Sequence, residues 1–263
     1  MKRSVLIFLV LSAVSLVATL LPKYIERNKA LQEIKGVRSE QKQEAERRLR
    51  DPNYRNDSVL PFMRIQAKEI ERLKNSLGSE SEVVIDTISE IVKGMISVYS
   101  EYENAMIKAF TVLEFNTIND FEDIGKSKGR AKQAEIAANI MDRFTKDMGT
   151  KLKESLIRHR VPSSDIDSTM RDFYRTADIE RRSELYKMNA EVMKEAQLVL
   201  QVLEKEWGAW EYDKEEVRVL FESERAVIEF NNTMERIGNL VQKVKKLELA
   251  ILKSQAVDSS QLK

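Results

Sequence analysis

Ile85, Ile88, Val92, Met95, Tyr99, Tyr102, Met106, Ala109 and Leu113 lie alternately three and four residues apart. An average step of 3.5 keeps one edge of an α-helix apolar over about four heptads, and a period-two strand cannot produce it. Ile91, Ile96, Phe110 and Val112 widen that edge. The helix is therefore expected to meet several neighbours, as in a bundle, rather than one zipper partner. Tyrosine and methionine at seam positions suit such a core better than a tight two-stranded coil.

The same period returns near the C-terminus. Leu220, Val227, Phe230, Met234, Ile237, Val241, Val244 and Ile251 predict a helix over about 214–253. Between the two, Ala134, Ala137, Met141, Phe144, Met148, Leu152 and Leu156 predict a helix over about 130–160. Ile166, Met170, Phe173, Ala177, Leu185, Met188, Val192, Ala196, Val199, Leu203 and Trp207 predict another from 163 onward, bending near 176–182. A shorter helix over 61–77 should turn Phe62, Ile65, Ile70, Leu73 and Leu77 inward, and 116–129 reads as a loop.

Pro22, Pro52, Pro61 and Pro162 fall where helices should begin or end. Ser79 with Glu82, and Asp213 with Glu216, match capping boxes, and Ser163 or Ser164 should cap the helix after Pro162. Gly94, Gly149 and Gly238 fall inside helices, where each costs about 1 kcal/mol relative to alanine. They are expected to mark close helix approach or bending. No alternating pattern bounded by turns stands out, so the chain reads as all-α.

Residues Val5 to Leu21 carry no charge; Met1-Lys2-Arg3-Ser4 precede them and Pro22-Lys23 follow. At about 1.5 Å per residue this run makes a helix of about 25 Å, slightly short of a ~30 Å hydrocarbon layer. A basic start before an apolar run is also how an export signal begins, and Leu16-Val17-Ala18 offers a poor cleavage site. The apolar run continues past that site to Pro22, which an uncleaved anchor explains better. The positive-inside count does not fix the orientation, since Lys23, Arg27, Lys29, Lys35 and Arg38 follow the run. The resemblance of the leader to an export signal places the bulk of the chain outside the cytoplasm.

These elements give the expected architecture: an N-terminal transmembrane helix, a charged stalk helix and an elongated antiparallel four-helix, coiled-coil-like bundle. The divisions are 1–22 for the anchor or signal, 23–60 for stalk and linker, 61–254 for the bundle and 255–263 for a frayed tail. Within the stalk, Arg47-Arg48-Leu49-Arg50 reads as a solvated helix end.

Composition narrows function by exclusion. Lys+Arg 44 against Asp+Glu 43 leaves net charge +1, without the basic excess that marks nucleic-acid binders. With no cysteine, the chain can form neither disulfides nor thiolate metal sites, and thiol catalysis is closed to it. The single histidine, His159, stands at an expected helix end and reads as a capping residue. One histidine cannot supply the two Glu-x-x-His pairs of a di-iron bundle.

Gly125-Lys126-Ser127 imitates the end of a phosphate-binding loop, but Asp120 stands where the motif needs glycine and no strand precedes it. Asp165/Asp167, Glu215/Glu216 and Glu222/Glu224 read as solvated faces of helices. Asn56-Asp57-Ser58 and Asn231-Asn232-Thr233 match glycosylation acceptors at a frequency expected by chance. Trp207, Trp210 and Tyr212 cluster at a helix–helix turn. They read either as a plug closing the bundle end or as an aromatic contact patch for a protein or a membrane interface.

The reading that follows is non-enzymatic: a single-pass, membrane-anchored helical scaffold or protein-interaction module of the cell envelope. It contacts the membrane through residues 5–21 and a protein partner elsewhere; homo-oligomers are compatible with its seams, and neither cofactor, metal nor nucleic acid is expected. Two alternatives are an exported soluble helical protein acting on membranes, and a ligand-sensing bundle.

Overall fold

In the computed structural model of the chain, residues 39–40, 42–51, 58–76 and 79–257 are described. They are mostly helical, as the periodicity predicts. Helix α1 covers residues 42–50; α2 is Leu60–Ser76, α3 Ser79–Ala109, α4 Phe121–Arg158, α5 Ser163–Ala177, α6 Ile179–Lys205 and α7 Glu224–Val257. The uncharged run 5–21, most of the stalk, Ser79 and Glu82 as side chains, and residues 258–263 lie outside this description.

The seam of α3 is its buried edge. Ile88, Val92, Met95, Tyr99, Tyr102, Met106 and Ala109 are each at most 2% exposed. Past Ala109 the helix tightens into i→i+3 bonds, Phe110 N–H to Ile107 O at 3.3 Å and Val112 N–H to Ala109 O at 3.2 Å, and a 3₁₀ turn follows at Phe115–Thr117. Val112 and Phe115 therefore continue the core from outside the helix.

Helix α4 starts within the segment expected to be a loop. Asp120 is its N-cap and accepts from Asp123 N–H at 2.9 Å, while the Asp123 carboxylate accepts from Asn119 N–H at 3.1 Å. Aspartates thus satisfy two backbone donors in the manner of a capping box. Gly125-Lys126-Ser127 accordingly lies in the first turns of a helix.

Four long helices run alternately up and down, and their cross-links show the order. The Thr87 and Ser155 hydroxyls join the start of α3 to the end of α4. Lys128 to Glu204 at 2.6 Å, Gln197 to Glu135 at 2.8 Å and Ser183 to Asp142 at 2.6 Å staple α4 against α6. Arg236 to Glu195 at 2.9 Å and Ser254 to Asp178 at 3.2 Å set α7 antiparallel to α6. Ala131, Ala134 and Ala138 on α4 and Ala190 and Ala196 on α6 are all buried, and small residues such as these let the two extensively packed helices approach closely.

Three further local readings change. The helix from 163 breaks at Asp178, whose left-handed φ of 47° ends α5 and begins α6. That break lets α5 fold onto α4, where Phe173 and Tyr174 fill the space beside Gly149. The cap of α5 is Pro162, with no side-chain hydrogen bond from Ser163 or Ser164. Helix α2 buries Ile70 and packs Phe62 on the core as expected, adds Met63 to the buried side and leaves Ile65 53% exposed.

The largest change lies at 210–221. Trp210–Asp213 and Arg218–Phe221 form an antiparallel hairpin, pairing Trp210 with Phe221 and Tyr212 with Val219. Asp213 Oδ1 accepts from Glu215 N–H at 2.9 Å and Glu216 N–H at 3.1 Å, so the apparent capping box closes a turn instead of opening a helix. Helix α7 starts ten residues later than expected, capped by Ser223, whose Oγ accepts from Ala226 N–H at 3.3 Å.

Helix α1 is not wholly solvated. Ala45 is fully buried, Leu49 packs on the core, and Arg48 is 3% exposed with its Nε donating to Glu44 at 2.6 Å. The other arginines of that basic run, Arg47 and Arg50, are partly or fully exposed.

Candidate functional site

Aromatic side chains gather where α3 ends, α4 begins, α6 ends and α7 begins. Trp207 terminates the α6 turn, and Gly208, with φ of +86°, reverses the chain there into the hairpin. Trp210 and Tyr212, two residues apart on β1, share the strand face that packs on the core. The Trp210 indole N–H donates to Leu203 O at 3.0 Å, which fixes the ring against the last turn of α6. Phe221, paired with Trp210, meets Phe230 at 5.2 Å between centroids, and Phe115 meets Phe230 at 5.4 Å.

Trp207 belongs to a different environment. It is 41% exposed and lies edge-on to Trp210 at 5.9 Å and to Phe121 at 5.8 Å; Phe121 is itself 51% exposed. The trio read from the sequence thus divides. Trp210 and Tyr212 plug the bundle end, whereas Trp207 and Phe121 form an aromatic edge open to solvent, with Val217 at the hairpin tip 73% exposed. The sequence pattern puts Phe121 in a loop; its contact with Trp207 follows from the early start of α4.

A second polar constellation lies inside the bundle. Tyr99 and Tyr102 of α3, Arg182, Tyr186 and Asn189 of α6 and Glu248 of α7 are all at most 2% exposed. Tyr102 stacks edge-on to Tyr186 at 5.3 Å, and Asn189 Nδ2 donates to the Tyr102 hydroxyl at 2.9 Å. Burial raises the pKa of Tyr99, Tyr102 and Tyr186 and lowers that of Arg182, because each charged form would lose its water. All three phenols stay protonated at neutral pH.

Near them Glu103, 5% exposed, accepts from Ser58 Oγ at 2.8 Å; its burial lifts its pKa above 4.5 against the opposing pull of Ser58 and Arg48. Sequence missed this cluster because Arg182 follows Arg181 in a charge-rich stretch that resembles a wet face. The one available signal was the pair of seam tyrosines, Tyr99 and Tyr102, whose hydroxyls need partners once buried.

His159 occupies the C-cap of α4, its backbone N–H donating to Ser155 O and Ile157 O. Among the described residues, no group of three or more His, Asp or Glu is placed to hold a metal ion. Asn231 lies within α7, and the Thr233 hydroxyl of its acceptor motif donates to Glu229 O at 2.8 Å.

No protein-family profile matches the chain, and no curated protein or solved structure matches it.

Proposed function

We propose that the chain is a membrane-tethered helical interaction module of the cell envelope, held by residues 5–21 and presenting its helical body to a protein partner outside the cytoplasm. The observation that carries this reading is the division of apolar surface. The only long uncharged run is Val5–Leu21. The described helices are amphipathic, and none of them is long and apolar enough to cross a membrane. A bilayer contact therefore falls to the leader, and the rest of the apolar surface serves packing and recognition.

The aromatic edge supports a binding role. Trp207 and Phe121 are large and exposed; Trp207 leans on Trp210, which is fixed against α6, and Phe121 leans on Trp207, so part of their side-chain freedom is already restricted before a partner covers them. The buried phenols and Arg182 are shielded from solvent, a setting suited to specifying packing.

N-terminal sequencing of the mature protein tests the tether. An intact Met1 is expected; a start at Thr19 would replace the tethered reading with an exported, soluble one. Because the chain lacks cysteine, a single Ser164→Cys substitution at an exposed position of α5 reports sidedness. Labelling by a membrane-impermeant maleimide in intact cells is expected, and labelling only after lysis would reverse the orientation.

A further inference from the structure

Between α3 and α4 runs a groove of about 700 Å³, whose Val98, Ala105 and Ala137 back onto the core while Ile136 and Ile140 face outward. Its floor is Val98 and Ala105 from α3 with Gly129, Ile136, Ala137 and Ile140 from α4. Ile136 and Ile140, one turn apart, are each 43% exposed. Gly129 is a helix-interior glycine, and a Cβ built on it would meet no atom within 4 Å. Its cost of about 1 kcal/mol relative to alanine is thus unrecovered by contacts among the described residues. The space above it is open to a partner.

Charge marks one end of the groove. Lys108, Lys126 and Arg130 stand together there, against the single lining carboxylate Glu101. Lys126 is shared with Glu122 at 3.3 Å and Asp123 at 3.5 Å, while Arg130 reaches the Thr111 hydroxyl at 3.5 Å. The lining therefore carries net positive charge.

We infer that this groove docks an amphipathic α-helix of a protein partner, with apolar residues on one edge and acidic residues at the end that meets Lys108 and Arg130. Three features select a helix. The lining spans residues 98–108 on α3 and 126–140 on α4, about 15 and 21 Å at ~1.5 Å per residue, which matches three to four turns. The lining alternates small residues, Ala105, Gly129 and Ala137, with the large, exposed Ile136 and Ile140, a relief into which an i, i+3, i+4, i+7 edge can interdigitate. An open groove with two isoleucines so exposed suits an elongated partner better than a small ligand, which pockets ordinarily bury by about 70–90%. The site is separate from the Trp207 edge and does not depend on the leader acting as an anchor.

The test places a benzophenone amino acid at Gln133, an exposed position in the groove, in the full chain in its native cell. After illumination, mass spectrometry identifies the crosslinked peptide. The expected product is a segment of another protein with a helical apolar edge and acidic residues toward one end. Gly129→Leu, which fills the floor, and the charge-reversal pair Lys108→Glu with Arg130→Glu should each cut its yield about tenfold, equivalent to ~1.4 kcal/mol. Both variants should keep the parent melting temperature to within a few degrees. If Gly129→Leu fails to fold, the surface charge-reversal pair decides. A product with a second copy of this chain, with lipid or with a basic or non-helical segment overturns the inference. So does the absence of any product, or a yield unchanged in the charge-reversal variant.

Discussion

Two helix-interior glycines that look alike in the sequence, Gly149 and Gly238, do different things in the structure. A Cβ on Gly149 would lie 2.5 Å from the Tyr174 hydroxyl and 3.1 Å from a Phe173 ring carbon, so this glycine admits α5. A Cβ on Gly238 would meet nothing within 4 Å. Gly149→Val should therefore destabilise by about 1–3 kcal/mol through overpacking and helix displacement, while Gly238→Ala should stabilise by about 0.5–1 kcal/mol. Chemical denaturation of the two variants measures both signs. The sequence shows the cost of a glycine but not its neighbour, so only the structure separates the two cases.

Buried polar atoms give a second test at this scale. The Tyr186 hydroxyl is buried and makes no hydrogen bond among the described residues. Tyr186→Phe should raise stability by about 1 kcal/mol, since an unsatisfied buried polar group is removed, whereas Asn189→Leu should lower it by stripping the Tyr102 hydroxyl of its donor. For Glu103 the sign follows from its raised pKa. The folded state disfavours the carboxylate, so the cost is absent below about pH 4.5, grows as pH climbs above that value and persists at neutrality. Glu103→Gln should raise the melting temperature at pH 7, and the gain should vanish below pH 4.5 in thermal melts across that range.

At the scale of elements, the long helices were legible and the short strands were not. The α3 seam is buried nearly residue for residue, because a 3.5 repeat sustained over several turns leaves a helix one way to hide its edge. The hairpin consists of two four-residue strands, too short for alternation to outweigh the helical seam that follows. Asp213 and Glu216 compounded this, since an aspartate that accepts backbone N–H groups serves a turn as well as a helix start. The start of α4 was obscured by Gly125 and Gly129, although Asp120 with Asp123 carried the capping signal.

The aromatic trio was legible as a cluster, but not its division into plug and edge, which depends on how the hairpin turns after Gly208. Trp210→Ala should cost about 3 kcal/mol and Trp207→Ala less than about 1 kcal/mol, measured by denaturant unfolding. At the hairpin tip, Val217 holds a φ of 53°, where a β-branched side chain is strained. Val217→Gly should stabilise by about 1 kcal/mol.

At the scale of the whole molecule, an all-α body with interleaved polar staples between α4, α6 and α7 stands behind a leader of different chemistry. Net charge +1 is distributed over many ion pairs, which keeps the surface wet. The same charge density hid the groove between α3 and α4, because Lys108, Lys126 and Arg130 come from two helices whose pairing no local pattern reveals. The proposed function joins these parts: the leader holds the body at a membrane, and the exposed aromatic edge meets a partner.

Alkaline extraction of membranes from cells making the full chain probes that union most directly. The protein is expected to stay with the membrane pellet, and Leu9→Glu combined with Val14→Glu, at about 2.5–3.5 kcal/mol per buried charge, should move it into the wash. Release of the unaltered full-length protein into the wash would contradict the tether.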